Sequence, residues 1–385
     1  MVQPSGYVDP KFPNHVYKLQ KSLYGLKQAL HAWFEIFSSY NDSSLFILRY
    51  NKILVYLLVY VDDIILTGNS PVFLQSLIAQ LSQIFELKDL GDLHFFLGLH
   101  IHRSPKGLSI NQGKYITDLL TKHNMLNSKP AKTPCVPHVR LVPDEGYVLP
   151  DPRVYHSLVG SLHYLTFTRL NLSFVIHQVC QFMSFPTDIH FVATKCILHY
   201  LVGTQHVGVL LQPGPFSLLA FSNSDSAGDP HDRHSTTSFI VYLGYNLITW
   251  SAKKQITASK SSTKSEYRAL ASTTIELCWI RQVLRDLDIY LAIPPKIWCD
   301  NVFALAIASN TIFHARTKHI EADYHFIQEW VLRRDLRIKY ISMDDQLTDI
   351  FTKSFPTYCF QILYSKILFT MVPKVLRGDE DKIKE

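Results

Sequence analysis

The six cysteines of this sequence are scattered (Cys135, Cys180, Cys196, Cys278, Cys299 and Cys359), with no Cys-x-x-Cys pair. That argues against a zinc ribbon or a disulfide framework and fits a reducing compartment. No stretch reaches the ~20 apolar residues of a membrane span. The longest such run, residues 53–61, stops at two aspartates. The first thirteen residues are polar and proline-rich, unlike a secretory leader. There is no internal repeat. Charge is modest: 38 Lys and Arg against 32 Asp and Glu give a net +6, which fits an anionic partner without requiring one. A chain of 385 residues is too long for one small core, so two or three domains are expected.

The stretch that organises the rest is residues 54–68, LVYLLVYVDDIILTG. Nearly continuous apolar and β-branched residues bounded by turn signals suit buried strands. Adjacent carboxylates inside such a run are costly unless something pairs them. A tight hairpin removes the conflict: a strand to Tyr60, a turn over Val61, Asp62 and Asp63, and a return strand from Ile64. Both carboxylates then sit at the tip. Mg²⁺ binds through carboxylate oxygens and substrate phosphates, so the tip has the chemistry of a two-metal phosphoryl-transfer site. From these residues alone, a solvated Asp-Asp turn in an ordinary hairpin fits about as well.

Further elements follow from periodicity. A helix over 26–37 carries Leu30, Trp33, Phe34 and Phe37 on one face, and one over 71–85 carries Leu74, Leu77, Ile78 and Leu81. Leu93, Phe95, Leu97 and Leu99 alternate as in a half-buried strand, with Gly91 and Gly98 as turn points. Residues 127–152 hold six prolines and little apolar pattern, as a linker would. Two or three packed helices are expected over 154–202. Strands are expected over 218–223, 238–243 and 246–251, then a long helix over 263–287, a strand over 296–299, and a helix through Tyr324 and Ile327. A strand over 336–341 and a closing helix over 345–353 complete the series. Three antiparallel strands, then helix, strand, helix and strand, is the order of a ribonuclease H fold.

Specific motifs narrow the reading. Tyr60-Val61-Asp62-Asp63 with its flanks resembles the catalytic hairpin of reverse transcriptases. LYGLKQA, residues 23–29, is similar to the template- and nucleotide-contacting motif of copia-type retrotransposon polymerases and precedes the hairpin in the same order. Residues 87–101 resemble the segment after the hairpin, and SINQGKYITDLLTKHNM the thumb entry. Downstream, WSAKKQ, SEYRAL, IWCDN, ARTKHIE and DQLTDIFTK stand in the order of the copia-type ribonuclease H domain. On these motifs the chain is identified as a member of the copia-type Pol polyprotein family.

The resemblance implies an α+β and α/β multidomain chain. Residues 1–126 would be a partial palm and thumb without fingers, 127–152 a linker and 153–212 a helical connection. Residues 213–355 would form a ribonuclease H-like domain on a mixed five-stranded sheet, with 356–385 as a tail. It implies RNA-directed DNA synthesis and cleavage of RNA in RNA–DNA hybrids, with Mg²⁺ in two-metal sites. RNA template, DNA and hybrid would be partners, in a cytoplasmic virus-like particle or the nucleus. Asp62 and Asp63 would serve the polymerase, and Glu266, Asp300 and Asp349 the nuclease. Gly25, Lys27, Gln28, Lys253, Lys254, Arg316 and Lys318, with Lys260 and Lys264, would lie along nucleic acid. Taken singly, Glu266 is equally a first-turn acid favouring the helix dipole, Asp300 an N-cap, and the lysines a solvated face.

Two departures from the family pattern matter. Its first nuclease strand reads roughly SDADWAG, and here it is SNSDSAG, residues 222–228. The metal-bridging aspartate is replaced by Asn223, whose amide keeps the shape without the charge. Asp225 points to the same face but lies ~6.6 Å along the strand, too far to substitute. Weak or absent ribonuclease H activity is expected. The family also uses a third polymerase aspartate upstream of LYGLKQ, which this sequence does not include, so Asp62 and Asp63 alone form an incomplete cage. His156 and Leu170 stand where the family usually has Arg and Pro. The alternative readings are a non-catalytic nucleic-acid-binding remnant and a decayed product that folds poorly.

Overall fold

The computed structural model describes residues 42–61, 63–85, 87–137, 139–229, 231–259, 261–309 and 321–368. The chain divides into two compact units, one of Met1–Gly91 with Gln282–Asp288, the other of Asp92–Arg281 with Ile289–Glu385.

In the first unit, β1 (Leu45–Tyr50), β2 (Ile53–Tyr60) and β3 (Asp63–Gly68) form an antiparallel sheet in that order. Phe46, Val55 and Leu57 are buried at its centre. Tyr60 pairs with Asp63, so Asp63 opens the return strand, one residue earlier than the expected Ile64. Two-residue hairpin loops match the twist of their strands when the first residue has positive φ, and Val61 has φ 52°. Helix α1 (Pro71–Ile84) follows, with Ser70 capping the Phe73 N–H and Pro71 in the first turn. Leu74, Leu77, Ile78 and Leu81 are half-buried on one face between exposed neighbours, as the spacing predicts. The helix expected over 26–37 lies outside the described residues.

The second unit holds two sheets and a core built from its helices and the larger sheet. Strands β4 (Phe95–Phe96), β5 (Leu99–Ser104), β6 (Gly107–Asn111) and β7 (Gly208–Leu211) form an antiparallel sheet in that order. The alternating run 93–99 is therefore two strands and not one. Leu97 and Gly98 both take positive φ, 47° and 73°, and turn the chain between them. Helices α2 (Gly113–Lys122), α3 (Pro152–Tyr164), α4 (Ser173–Cys180) and α5 (Asp188–Val202) pack together. Asp151 and Thr187 cap α3 and α5. Ile116 and Leu120 of α2 share a core with Tyr155, Leu158, Leu162, Ile197 and Leu201. The compact units part at 91/92, and the Pro-rich stretch connects segments that share this core. That stretch is itself bonded to it, Ala131 N–H to His199 O and Leu149 N–H to Pro186 O.

The larger sheet has the order β10-β9-β8-β11-β12, with β8 (Leu218–Asp225), β9 (Thr236–Leu243), β10 (Asn246–Lys254), β11 (Lys296–Cys299) and β12 (Arg337–Tyr340). β8, β9 and β10 are antiparallel, and β11 runs parallel to both β8 and β12. The sheet is thus mixed and five-stranded, as expected. The 25-residue helix α6 (Ser262–Asp286) connects β10 to β11, and α7 (Val302–Ser309) and α8 (Glu321–Leu332) lie between β11 and β12. The closing helix expected over 345–353 is instead two short 3₁₀ turns, Met343–Asp345 and Leu347–Phe351. They are separated by extended backbone at Gln346. α9 (Thr357–Leu368) follows. β8 is the central strand, and every residue but Asp225 is buried. Among the described residues, no helix is long and apolar enough to cross a membrane.

Candidate active site

The C-terminal half of β8 places Ser222, Asn223 and Ser224 inside the protein, all buried. Polar residues in a central strand need partners; other elements bring them to Asn223 and to the Ser222 carbonyl, while the Ser222 hydroxyl has none among the described residues. Asn223 donates from its amide to Asp349 Oδ1 at 2.6 Å. Gln346, in the extended break between the 3₁₀ turns, donates to Ser222 O at 3.1 Å. Gln255 donates to Thr237 Oγ1 and Ser265 O, each at 3.0 Å. It thereby ties β9 to the start of α6, one residue before Glu266.

Glu266 is 6% exposed, and its Oε2 is buried without a hydrogen-bond partner among the described residues. Asp300 follows the last residue of β11 directly. Ligand atoms of Glu266, Asp300 and Cys299 lie within 4.8 Å of one another. Burial pushes the Glu266 carboxyl up to about 9. The charges of Asp300 and Asp349 add to this, and the Ser224 backbone N–H and Lys353 work against it. Burial also raises Asp300, with Asp349 pushing the same way. Asp349 has a second partner, Lys353, whose ammonium stands 3.0 Å from Oδ2. Glu266, Asp300, Asp349 and Asn223, far apart in sequence, thus meet at one end of the sheet.

Asp225 does not join them. Its Oδ1 accepts the Thr236 N–H at 2.6 Å, closing the β8–β9 connection. The chain passes so close that a Cβ at Gly228 would collide with this carboxylate. Lys254 is engaged as well. Its ammonium is 2.6 Å from Asp229 and 2.7 Å from Asp232, and it donates to Gln181. A phosphate would have to displace two carboxylates to reach it, while Lys253 beside it is exposed. Lys264 is half-buried. Asp63 is exposed at the hairpin tip. Asp62, Gly25, Lys27, Gln28, Lys260, Arg316 and Lys318 lie outside the described residues.

Two members of this cluster escaped the sequence reading. Lys353 stands four residues after Asp349, an acid-to-base spacing that was readable. Cys299 is adjacent to Asp300 and drew no notice because it has no second cysteine nearby. The donors fit one cation between Glu266 and Asp300. They do not fit a bridged Mg²⁺ pair, because both Asp349 oxygens are engaged and Asn223 brings no charge.

Comparison with known proteins places these observations. Residues 1–137 match the family model described as reverse transcriptase (RNA-dependent DNA polymerase). The chain is 46% identical to the retrovirus-related Pol polyprotein from transposon RE1 of Arabidopsis thaliana, over 97% of this chain and 26% of that protein. It is 33% identical to the corresponding polyprotein from transposon TNT 1-94 of Nicotiana tabacum, over 94% of this chain and 29% of that one. An uncharacterized mitochondrial protein of Arabidopsis thaliana is 46% identical over 58% of this chain and 94% of its own length. The chain spans about a quarter of the length of the Pol polyproteins it matches. A solved structure of the foamy viral protease-reverse transcriptase in complex with RNA/DNA hybrid aligns with a TM-score of 0.43 at 14% identity, over 74% of this chain and 36% of that chain.

Proposed function

Since this chain belongs to the copia-type retrotransposon Pol polyprotein family, we propose that residues 213–355 are a ribonuclease H-like domain whose cleavage of RNA in RNA–DNA hybrids is weak or lost. Residues 1–126 are read as palm and thumb of the RNA-directed DNA polymerase, with Asp62 and Asp63 as two of its carboxylates. The partners are those of the family: RNA template, DNA and RNA–DNA hybrid, in a cytoplasmic particle. The order β8-β9-β10-α6-β11 and the meeting of Glu266, Asp300 and Asp349 support the nuclease assignment.

One observation carries the loss of activity. At the position where the family has a metal-bridging acid, Asn223 donates a hydrogen bond to Asp349. An aspartate there, with Asp349, would supply two charges for a pair of Mg²⁺ ions, which in such sites activate water and stabilise the leaving oxygen. The amide removes one charge and occupies the other. Cleavage of a labelled RNA strand in a hybrid, measured for the parent and Asn223→Asp in MgCl₂, tests this. A gain of at least ~100-fold in the variant is expected, the scale of a lost electrostatic group. Equal Mg²⁺-dependent rates would overturn the reading.

A further inference from the structure

We infer that Cys299 is the third ligand of a single-cation site with Glu266 and Asp300, and that this site takes a thiophilic divalent cation such as Zn²⁺ or Cd²⁺ in preference to Mg²⁺. The inference rests on the reading of this cluster as a cation site and goes beyond it in naming the sulfur ligand and the ion class.

Three observations carry it. The thiol and the two carboxylates lie within 4.8 Å of one another, on β11, just past it, and on α6. Two ligands of a tetrahedral zinc stand about 3.5 Å apart, so side-chain rotations that bring the donors closer by about 1 Å close the set. Next, Glu266 is more than nine-tenths buried, and its Oε2 has no partner in the described residues. A buried oxygen left without a donor costs free energy that a cation would recover. Finally, Asp349 is held by Asn223 and Lys353, while the Cys299 sulfur lies within 4.8 Å of donor atoms of both Glu266 and Asp300.

The chemistry of the set then decides the ion. Mg²⁺ demands near-octahedral oxygen coordination and dehydrates reluctantly. Zinc accepts sulfur, nitrogen and oxygen in a compact tetrahedral site, and thiolate ligands favour it over the hard cations. Cys299 is fully buried, and its sulfur accepts the Asn301 N–H at 3.4 Å. That bond orients the sulfur; burial and the neighbouring Glu266 and Asp300 charges push the thiol up to about 12, the Asn301 N–H only partly offsetting them, so the anionic form comes with the cation. On binding, the thiol proton leaves to solvent and the sulfur lone pair bonds to the cation.

The test uses the full chain with CdCl₂, ZnCl₂ and MgCl₂ after chelator treatment. Cd²⁺ is expected to give a sulfur-to-cadmium charge-transfer band in the ultraviolet that excess Mg²⁺ does not remove. Cys299→Ser is expected to lose the band and to bind Zn²⁺ at least ~10-fold more weakly, while Cys359→Ser keeps both. If Cys299→Ser binds like the parent but Glu266→Gln and Asp300→Asn bind weakly, the sulfur ligand is overturned and the carboxylate site stands. If all three bind like the parent, both readings fall. Should Cys299→Ser not fold, the ¹¹³Cd resonance of the parent decides. A sulfur-ligated position that vanishes in Glu266→Gln supports the inference, and an oxygen-only position overturns it.

Discussion

Asn223 and Asp349, 126 residues apart, are joined by a 2.6 Å hydrogen bond between a central strand and a 3₁₀ turn. The bond lets a carboxylate stand beside the β8 backbone with no cation present. Restoring an acid at 223 would put two carboxylates in contact and so make the fold depend on a cation or a proton. Asn223→Asp is therefore expected to lose about 1–3 kcal/mol in EDTA at pH 8. Added MnCl₂ should return much of that loss in the variant and change the parent little. Thermal melts followed by circular dichroism, with and without the metal, check both halves.

Glu266 makes stability fall as pH rises. Its folded value of about 9 stands well above the ordinary 4.5. Between these values the folded state holds a proton that the unfolded state has released. The stabilisation is complete below pH ~4.5, declines steadily, and is exhausted above pH ~9. Glu266→Gln, in EDTA, is expected to flatten this slope and to be more stable than the parent at pH 8, by no more than ~3 kcal/mol. Urea melts from pH 5 to 9 would reveal parallel slopes if the reasoning were wrong.

Arg169 is fully buried, with neutral partners. It donates to Thr204 O and Thr204 Oγ1, each at 2.8 Å, and to Asn171 Oδ1 at 3.3 Å, and it lies over the Tyr200 ring. Among the described residues no carboxylate forms an ion pair with it. A carboxylate at 171 would pair with a charge whose desolvation is already incurred, and would accept from the Tyr200 hydroxyl where the Asn171 amide now donates to it. Asn171→Asp is expected to stabilise the fold by about 1–3 kcal/mol, seen as a raised Tm at pH 7. An unchanged Tm would mean the guanidinium is already satisfied.

Lys253 and Lys254, adjacent in sequence, should separate in a binding assay. Lys254 is held by Asp229 and Asp232, while Lys253 is exposed. Lys253→Ala is expected to weaken hybrid binding and reduce its salt slope by about one. Lys254→Met should leave the slope unchanged and instead lower stability by about 1–3 kcal/mol, since it strands two carboxylates. Filter binding across a salt series, with a melt of each variant, distinguishes the two.

Much of the larger sheet was legible because its strands are short apolar runs punctuated by turns such as Gly244-Tyr245, where Gly244 takes φ 59°. The alternating pattern failed at Leu97, since a leucine gives no warning that it will adopt positive φ. The closing helix failed at Gln346, where the backbone extends so that the side chain reaches Ser222 O, a tertiary demand with no local trace. The acids of the site were found by motif. Their engagement was not, because whether Lys254 faces solvent or two carboxylates depends on a tertiary contact with Asp229 and Asp232. That the stretch after 126 packs on the core was not legible, because proline content marks an irregular path and says nothing of what packs beneath it.

Strand β6 ends at Asn111, and its partner β7 begins at Gly208. At synthesis rates of about 5–20 residues per second, roughly 5–20 s pass between the emergence of one and the other. Throughout that interval one side of β6 presents unpaired amides and carbonyls to any extended peptide nearby. The β6–β7 pairing therefore waits on chain synthesis as well as on folding.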